Sequence, residues 1–147
     1  MRIIKLAIIS VIIFSLILFL MSLLIPSQVR ISRAINIESP GEAIYNRIAD
    51  ISEWKEWNEL AHDSIKITVQ SDRKDHFETT WEYNGRTIHS AFWLQESANV
   101  TVVQWYFDFS LKWYPWEKFG SIIFDKQFGP PMEKSLNNLK IQMENSP

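Results

Sequence analysis

The sequence predicts an α+β protein in which an antiparallel sheet is followed by a long C-terminal helix and preceded by one transmembrane helix. Three patterns lead to this prediction. An uncharged run extends from Leu6 to Ile25, apolar and polar residues alternate after Ser64, and apolar residues recur every three or four positions near the C-terminus. These patterns are typical of a membrane helix, of strands and of an amphipathic helix, respectively.

The run from Leu6 to Ile25 is long enough to cross roughly 30 Å of hydrocarbon as a helix. Arg2 and Lys5 precede it, as they would in a cleaved signal peptide. Signal peptides, however, have shorter apolar cores and a small-residue cleavage site, whereas this run leads into "LLIPSQVR". The sequence therefore predicts an uncleaved anchor over residues 1–26 and a second domain over residues 27–147.

The distribution of charge gives a slight preference for one orientation in the membrane and argues against nucleic acid as a partner. Arg2 and Lys5 lie before the run and Arg30 and Arg33 after it, which slightly favours a cytoplasmic N-terminus with the domain outside. All 17 acidic residues follow the run, so the domain is mildly acidic. This predicts a single-pass membrane protein that binds neither nucleic acid nor anionic lipid through a basic patch.

The domain is predicted to begin with a strand and a helix. "VRISRAINI", residues 29–37, alternates as a strand does, with Arg33 on the apolar side, where an edge position or an ion pair is expected. Ser39, Pro40 and Glu42 form a predicted capping box for the helix. Its predicted buried stripe is Ile44, Ile48 and Ile51.

Two tryptophans, Trp54 and Trp57, stand three positions apart among charged residues. On one helical face, both can pack against a sheet while the neighbouring glutamates stay in water. We expect a structural role for them, with a place at the mouth of a pocket as the alternative.

Four consecutive antiparallel strands are predicted next. They are separated by turns at "SDRKD" (71–75), at Asn84-Gly85, which strongly favours a tight hairpin, and at "ESAN" (96–99). Pro115 and Gly129 then predict the start and stop of one helix. A second helix is predicted to start at Pro130 and Pro131, with the apolar stripe Met132, Leu136, Leu139 and Met143.

The segment "INIESPGEAIYNRIADISEWKEW" resembles the opening of the START-like, or SRPBCC, superfamily, which includes polyketide cyclase/dehydrase-type and lipid-transfer domains. The matching positions are Ile35, Ile37, Pro40, Asp50, Trp54 and Trp57. "FGPPMEKSLNNLK" is similar to the closing helix of membrane-anchored bacterial members. The resemblance covers roughly residues 29–60 and 112–144.

The resemblance implies a helix-grip fold, in which the antiparallel sheet curls round the C-terminal helix and encloses a hydrophobic cavity. After Trp57 this chain lacks part of a Gly-rich region that members of the superfamily usually have. We therefore expect a small cavity, one that Trp81, Trp93 and Trp105 can fill.

Catalytic signals are weak. His62, His76 and His89 lack metal-ligand spacing, no dinucleotide or phosphate-loop motif is present, and no metal or cofactor is predicted. His89 and Asp108 are candidate acids or bases, but we expect His89 on the polar face of its strand, and alternation puts Asp108 on the solvent side of its own. His62 and Asp63 are candidates for the mouth of a pocket.

Three functions remain open. The first is a membrane-tethered domain that binds or shields a small hydrophobic, lipid-like ligand. The second is a cyclase- or dehydratase-type enzyme that uses His89 or Asp108 in the same cavity, which a dry, aromatic-filled interior would contradict. The third is a protein-interaction module without a ligand. The predicted ligand-binding residues are Trp81, Tyr83, His89, Trp93, Trp105 and Leu136.

Overall fold

The computed structural model describes residues 2–145, which form two compact units. The N-terminal unit comprises the described part of Met1–Val29 together with Ser110–Ile123. The sheet unit comprises Arg30–Phe109 and the described part of Phe124–Pro147. The sequence did not predict that Ser110–Ile123 groups with the apolar helix.

The N-terminal unit contains a long apolar helix and a short aromatic segment. Helix α1 covers Arg2–Leu23 and is long and apolar enough to cross a membrane, a character that a signal sequence near the N-terminus shares. The short segment contains α3, Pro115–Gly120, and a 3₁₀ helix, Ser121–Ile123. Pro115 is the first residue of α3, as predicted.

The sheet unit holds five antiparallel strands, three helical segments and most of the core. The strands are β1 (Gln28–Ile37), β2 (Lys66–Arg73), β3 (His76–Tyr83), β4 (Arg86–Ser97) and β5 (Val100–Ser110). The helical segments are α2 (Gly41–Ala49), a 3₁₀ helix (Ile51–Glu56) and α4 (Phe124–Asn145). The α+β fold with a long C-terminal helix is thus confirmed.

The sheet has the strand order β1-β5-β4-β3-β2. The last four strands are joined as consecutive hairpins, as predicted, and β1 completes the sheet beside β5. Asn84 and Gly85 have φ angles of 49° and 72°, which the tight hairpin between β3 and β4 requires. The preceding turn is shorter than predicted, because β2 continues through a bulge between Val69 and Ser71 to Arg73.

The predicted capping box is wrong. Helix α2 begins at Gly41 with Pro40 as its N-cap, and no side chain caps it. The carbonyl oxygen of Ser39 accepts a hydrogen bond from Oγ1 of Thr101 at 2.9 Å, and Glu42 pairs with Lys74 instead. Ile44 and Ile48 are buried as expected.

Gly129 does not end a helix, and Pro130 and Pro131 do not begin one, because α4 runs through all three from Phe124 to Asn145. Two prolines inside a helix remove two backbone donors and ordinarily disfavour it. Here Arg33 of edge strand β1 lies across this point, since its guanidinium contacts Asp125 at 2.9 Å and Glu133 at 2.6 Å. The ion pair predicted for Arg33 therefore joins the two parts of α4.

Gly129 makes this ion pair possible. A Cβ atom at position 129 would lie 2.1 Å from Nη2 of Arg33, which is far closer than any real contact. A side chain at position 129 would displace the guanidinium from the helix backbone, and so the residue that resembles a stop signal is a packing residue.

Candidate functional site

Aromatic rings fill the space between the inner face of the sheet and α4. Rings from β3, β4 and β5 contact one another, with centroid distances of 4.9 Å between Phe92 and Trp105 and 5.0 Å between Trp81 and Phe107. Phe109 and Phe128, 4.8 Å apart, connect the sheet to α4. Rings of this cluster are almost completely buried, including Trp54, Trp57, Phe77, Trp81, Phe92, Trp105 and Phe107.

Hydrogen bonds hold three of the buried indoles in place. Nε1 of Trp105 donates to Oγ of Ser90 at 2.7 Å, and Nε1 of Trp81 donates to Oγ1 of Thr79 at 2.9 Å. Nε1 of Trp54 donates to the carbonyl oxygen of Ile48 at 2.7 Å. A buried polar group is stable only when it is paired, so these contacts fix the orientation of each ring.

Trp57 is the exception among these tryptophans. Its Nε1 and the Nδ2 of the neighbouring Asn58 are buried and have no hydrogen-bond partner among residues 2–145. Oδ1 of Asn58 accepts from the backbone N–H of Leu60 at 3.0 Å, so the amide cannot be turned round without placing two donors together. Both side chains therefore present unused donors.

Both residues line one small cavity, which we call the loop cavity. It has a volume of about 190 Å³ and lies between the loop after the 3₁₀ helix and Asn138 of α4. The ring of Trp57 also contacts Trp54 at 5.7 Å and Phe92 at 6.1 Å. Trp57 thus belongs both to the wall of the loop cavity and to the aromatic core.

Charged groups surround the loop cavity and are paired. Nζ of Lys134 lies 3.0 Å from Oε1 of Glu59, and its hydrogen bond is the main reason that the pKa of Glu59 is lowered. Asp63 pairs with Lys55, which lowers the pKa of Asp63. His62 lines the cavity. Of the two candidates for a pocket mouth, only His62 is thus among the residues that line this cavity.

The outer face of the sheet carries a separate polar depression of about 310 Å³. His89 and Asp108 are neighbours there across β4 and β5. Two nitrogens of Arg30 contact the Asp108 carboxylate at 2.7 and 2.6 Å, and the guanidinium lies 3.9 Å above the Tyr106 ring. The hydrogen bond from Arg30 to Asp108 is the main reason that the pKa of Arg30 is raised. The Asp108 carboxylate is therefore engaged in an ion pair with Arg30.

A larger open groove, of about 780 Å³, lies between α2, the 3₁₀ helix and the end of α4. Arg47 is its main cation, and it contacts Glu53, Glu56 at 2.5 Å and Gln142 at 2.9 Å. These contacts neutralise the arginine and hold it within the protein. Within the described chain, no group of three His, Asp or Glu side chains is arranged to hold a metal ion.

Comparison with known proteins shows the fold. No family model matches the chain, and no curated protein matches it. A START superfamily protein from Mycobacterium smegmatis has a similar structure, with a TM-score of 0.61 and 14% identity, over 78% of this chain and 97% of that one. The chain has a START-like fold.

Two further structures agree with this START-like fold. CalU16 from Micromonospora echinospora has a TM-score of 0.57 and 13% identity, over 82% of this chain and 86% of that one. DynU16, a protein of the dynemicin biosynthetic locus, has a TM-score of 0.60 and 13% identity, over 79% of this chain. The chain spans 47% of the length of DynU16. Identities this low establish the fold alone.

Within the START-like interior, the structure brings together only part of the predicted ligand-binding set. Trp81, Trp105 and Leu136 are buried between the sheet and α4. The predicted interior placement of Trp93 is wrong, since Phe92 and Leu94 face the interior and alternation turns position 93 to the outer face. Trp93 stacks there on His76 at 4.1 Å. His89 lies on the outer face too, as expected for a polar-face histidine, so it does not supply a polar group to the interior. Tyr83 is half exposed at the end of β3.

The polar residues that matter most in this START-like interior were not predicted from the sequence. Ser90 and Thr79 occupy inward positions of apolar strands, which is a signal that alternation could have provided. Asn58 directly follows Trp57, but its unused donor depends on the turn made with Leu60 and on the approach of α4. Nothing local in the sequence indicates that arrangement.

Replacing Ser90 with alanine is expected to lower the free energy of unfolding by about 1–3 kcal/mol, because it leaves Nε1 of Trp105 buried without an acceptor. Chemical denaturation of the full chain in detergent measures the change. Ser97, exposed at the end of the same strand, provides the control, and its alanine variant should differ from the wild type by less than about 0.5 kcal/mol. Equal losses in the two variants would contradict the role given to Ser90.

Proposed function

We propose that this chain is a membrane-anchored START-like protein that binds a small, mainly apolar ligand carrying a hydrogen-bond acceptor. The ligand's acceptor lies in the loop cavity, and its apolar part lies against Trp57 and the aromatic core. The START-like fold supports an interior ligand site in general. The loop cavity supplies the specific argument for where the ligand binds.

The single observation that carries the proposal is the pair of unused donors at Trp57 and Asn58. An unpaired buried donor costs about 1–3 kcal/mol, and a ligand acceptor that reached either donor would remove that cost. Two donors from adjacent residues suit a carbonyl, hydroxyl or carboxylate oxygen. The neighbouring indole ring offers apolar surface, whose burial contributes about 25 cal/mol per Å².

Size limits the ligand. The loop cavity, at about 190 Å³, is smaller than the roughly 300–1,000 Å³ typical of sites for larger organic ligands. A ligand that fits is therefore small, or its apolar part moves the Trp57 ring and enters the core. Trp57 is the ring that such a ligand would move, because it lines the cavity and contacts Trp54 and Phe92 in the core.

Helix α1 supports the membrane anchor in this proposal. It carries no charge from Leu6 to Leu23, and no typical signal-peptidase site follows it. A tether raises the local concentration of any ligand that is itself dissolved in the bilayer. The charge bias across α1 favours a cytoplasmic N-terminus and a domain on the other side.

A second candidate function, a protein-interaction module without a ligand, is favoured by the tight packing of the aromatic interior. The enzyme alternative has less support. A cyclase- or dehydratase-type reaction in the interior needs His89 or Asp108 there, whereas both belong to the outer face and Arg30 neutralises Asp108.

Native mass spectrometry of the full chain, purified in mild detergent, tests the proposal. We expect a small molecule to remain bound to the wild type. Trp57→Phe keeps a ring but removes the indole donor, and it should weaken retention about tenfold, which corresponds to roughly 1.4 kcal/mol. Trp93→Phe makes the same chemical change on the outer face and should retain the ligand. Wild-type protein without any bound molecule would favour the interaction module.

A further inference from the structure

The N-terminal unit exposes an unusually apolar segment, residues 111–123, which we call the aromatic segment. Four of its large apolar side chains are between 59% and 71% exposed: Trp113, Trp116, Ile122 and Ile123. Tyr114 stacks on Trp116 with ring centroids 4.8 Å apart, so the exposed rings form one surface. A contiguous exposed apolar surface of this kind marks an interaction site.

The aromatic segment is attached to the end of α1 by three contacts. Phe19 and Trp113 meet edge to face, with ring centroids 6.4 Å apart. The backbone N–H of Leu111 donates to the carbonyl oxygen of Ser27 at 2.8 Å. Nζ of the buried Lys118 donates to the carbonyl oxygen of Ile25 at 2.8 Å, immediately after α1 ends. The segment is therefore held where the chain leaves α1.

The composition of the aromatic segment fits the boundary between lipid and water. Tryptophan and tyrosine concentrate at this boundary because their rings are apolar while their N–H and O–H groups remain hydrated. Lys112, whose Nζ lies 5.7 Å from the Tyr114 ring, places a cation beside the aromatic rings, where it can reach phosphate. Helix α1, which the aromatic segment contacts, is itself covered by exposed leucine, isoleucine and phenylalanine side chains. The two surfaces are continuous, which argues for one occupant, the bilayer.

We propose that the aromatic segment is a second membrane contact, lying in the headgroup region of the leaflet where α1 ends. This inference rests on the proposed anchoring by α1. A lone helix is free to tilt and rotate in a bilayer, whereas interfacial tryptophans restrict both motions. The aromatic segment thus fixes the orientation of α1 in the bilayer.

Labelling the full chain in vesicles tests this inference. The sequence contains no cysteine, so single cysteines can carry an environment-sensitive fluorophore without competing sites. Ile122→Cys and Trp116→Cys report on the aromatic segment, and Ile13→Cys, in the middle of α1, reports on the anchor. Vesicles of phosphatidylcholine brominated near the headgroups or near the chain ends quench labels at the corresponding depth, and unbrominated vesicles give the reference emission.

We expect the Ile122 and Trp116 labels to lose emission mainly to shallow bromines and the Ile13 label mainly to deep ones. If the Ile13 label is quenched but neither segment label is, the aromatic segment lies off the membrane and the inference is overturned, while the anchor stands. If the Ile13 label is not quenched by any bromine, the anchor fails and the inference fails with it. Two segment positions are labelled so that poor folding of one variant does not decide the result.

Discussion

Trp54→Ala is expected to lower the free energy of unfolding by about 3–5 kcal/mol. Trp54 is fully buried, and its ring contacts Trp57, Phe77, Trp81 and Phe92. Its indole also donates to the carbonyl oxygen of Ile48. The substitution therefore opens a large cavity at the junction of α2, the sheet and the core, and denaturant titration measures the loss.

Trp93→Ala provides the matched control for Trp54→Ala. It removes the same side chain from a position that is 46% exposed and contacts His76 on the outer face. A surface ring that loses one stacking contact should cost about 0.5–1.5 kcal/mol. Comparable losses for Trp54 and Trp93 would contradict the division of the tryptophans into inner and outer sets.

Leu136→Ala is expected to lower the free energy of unfolding by about 2–5 kcal/mol. Leu136 is 1% exposed and lies on the face of α4 that also buries Met132 and Leu139. Packing of this face holds α4 against the sheet, because most of the stability of a helix in a protein comes from the packing of its apolar face. The loss is measured by the same titration.

Ile141→Ala is the control for Leu136→Ala on the same helix. Ile141 is 50% exposed, so its truncation should change the free energy of unfolding by less than about 1 kcal/mol. The substitution also improves helix propensity slightly, because alanine lacks the β-branch of isoleucine. A large loss at Ile141 together with a small one at Leu136 would mean that α4 packs through a different face.

Local patterns predicted the features that depend on neighbouring residues. The alternation of residues 100–111 correctly assigned Trp105 and Phe107 to one face and Asp108 to the other. Asn84-Gly85 predicted the hairpin because few other residue pairs adopt two positive φ angles in succession. Trp54 and Trp57 were correctly predicted to be buried, since only the core accommodates two such side chains.

Features that depend on distant residues were predicted poorly. Gly129, Pro130 and Pro131 contain the local signals of a helix boundary, but Arg33, far away in sequence, occupies the space beside Gly129. Ser39 and Glu42 match a capping box, but the helix begins with Pro40 as its N-cap, and Glu42 pairs with Lys74. Tertiary contacts outweighed local propensity in both cases.

The residues of the candidate site could be predicted only in part. Trp81, Trp105 and Leu136 could be predicted as interior residues from periodicity, whereas Trp93 and His89 required the register of β4 to be assigned correctly. A shift of one residue in a strand moves every side chain to the opposite face. The unused donors of Trp57 and Asn58 could not be predicted at all, because they are defined by the partners that other elements fail to provide.

The contact between Arg33 and α4 also has a consequence for the order of events during synthesis. Strand β1 is made early, yet its sheet neighbour β5 and its ion-pair partners on α4 follow only after the intervening strands. Edge strand β1 therefore remains without its sheet partner while most of the domain is translated. Closing such a long loop is slow and leaves apolar surface open to other chains in the meantime. The domain accordingly completes its fold only after α4 has been translated.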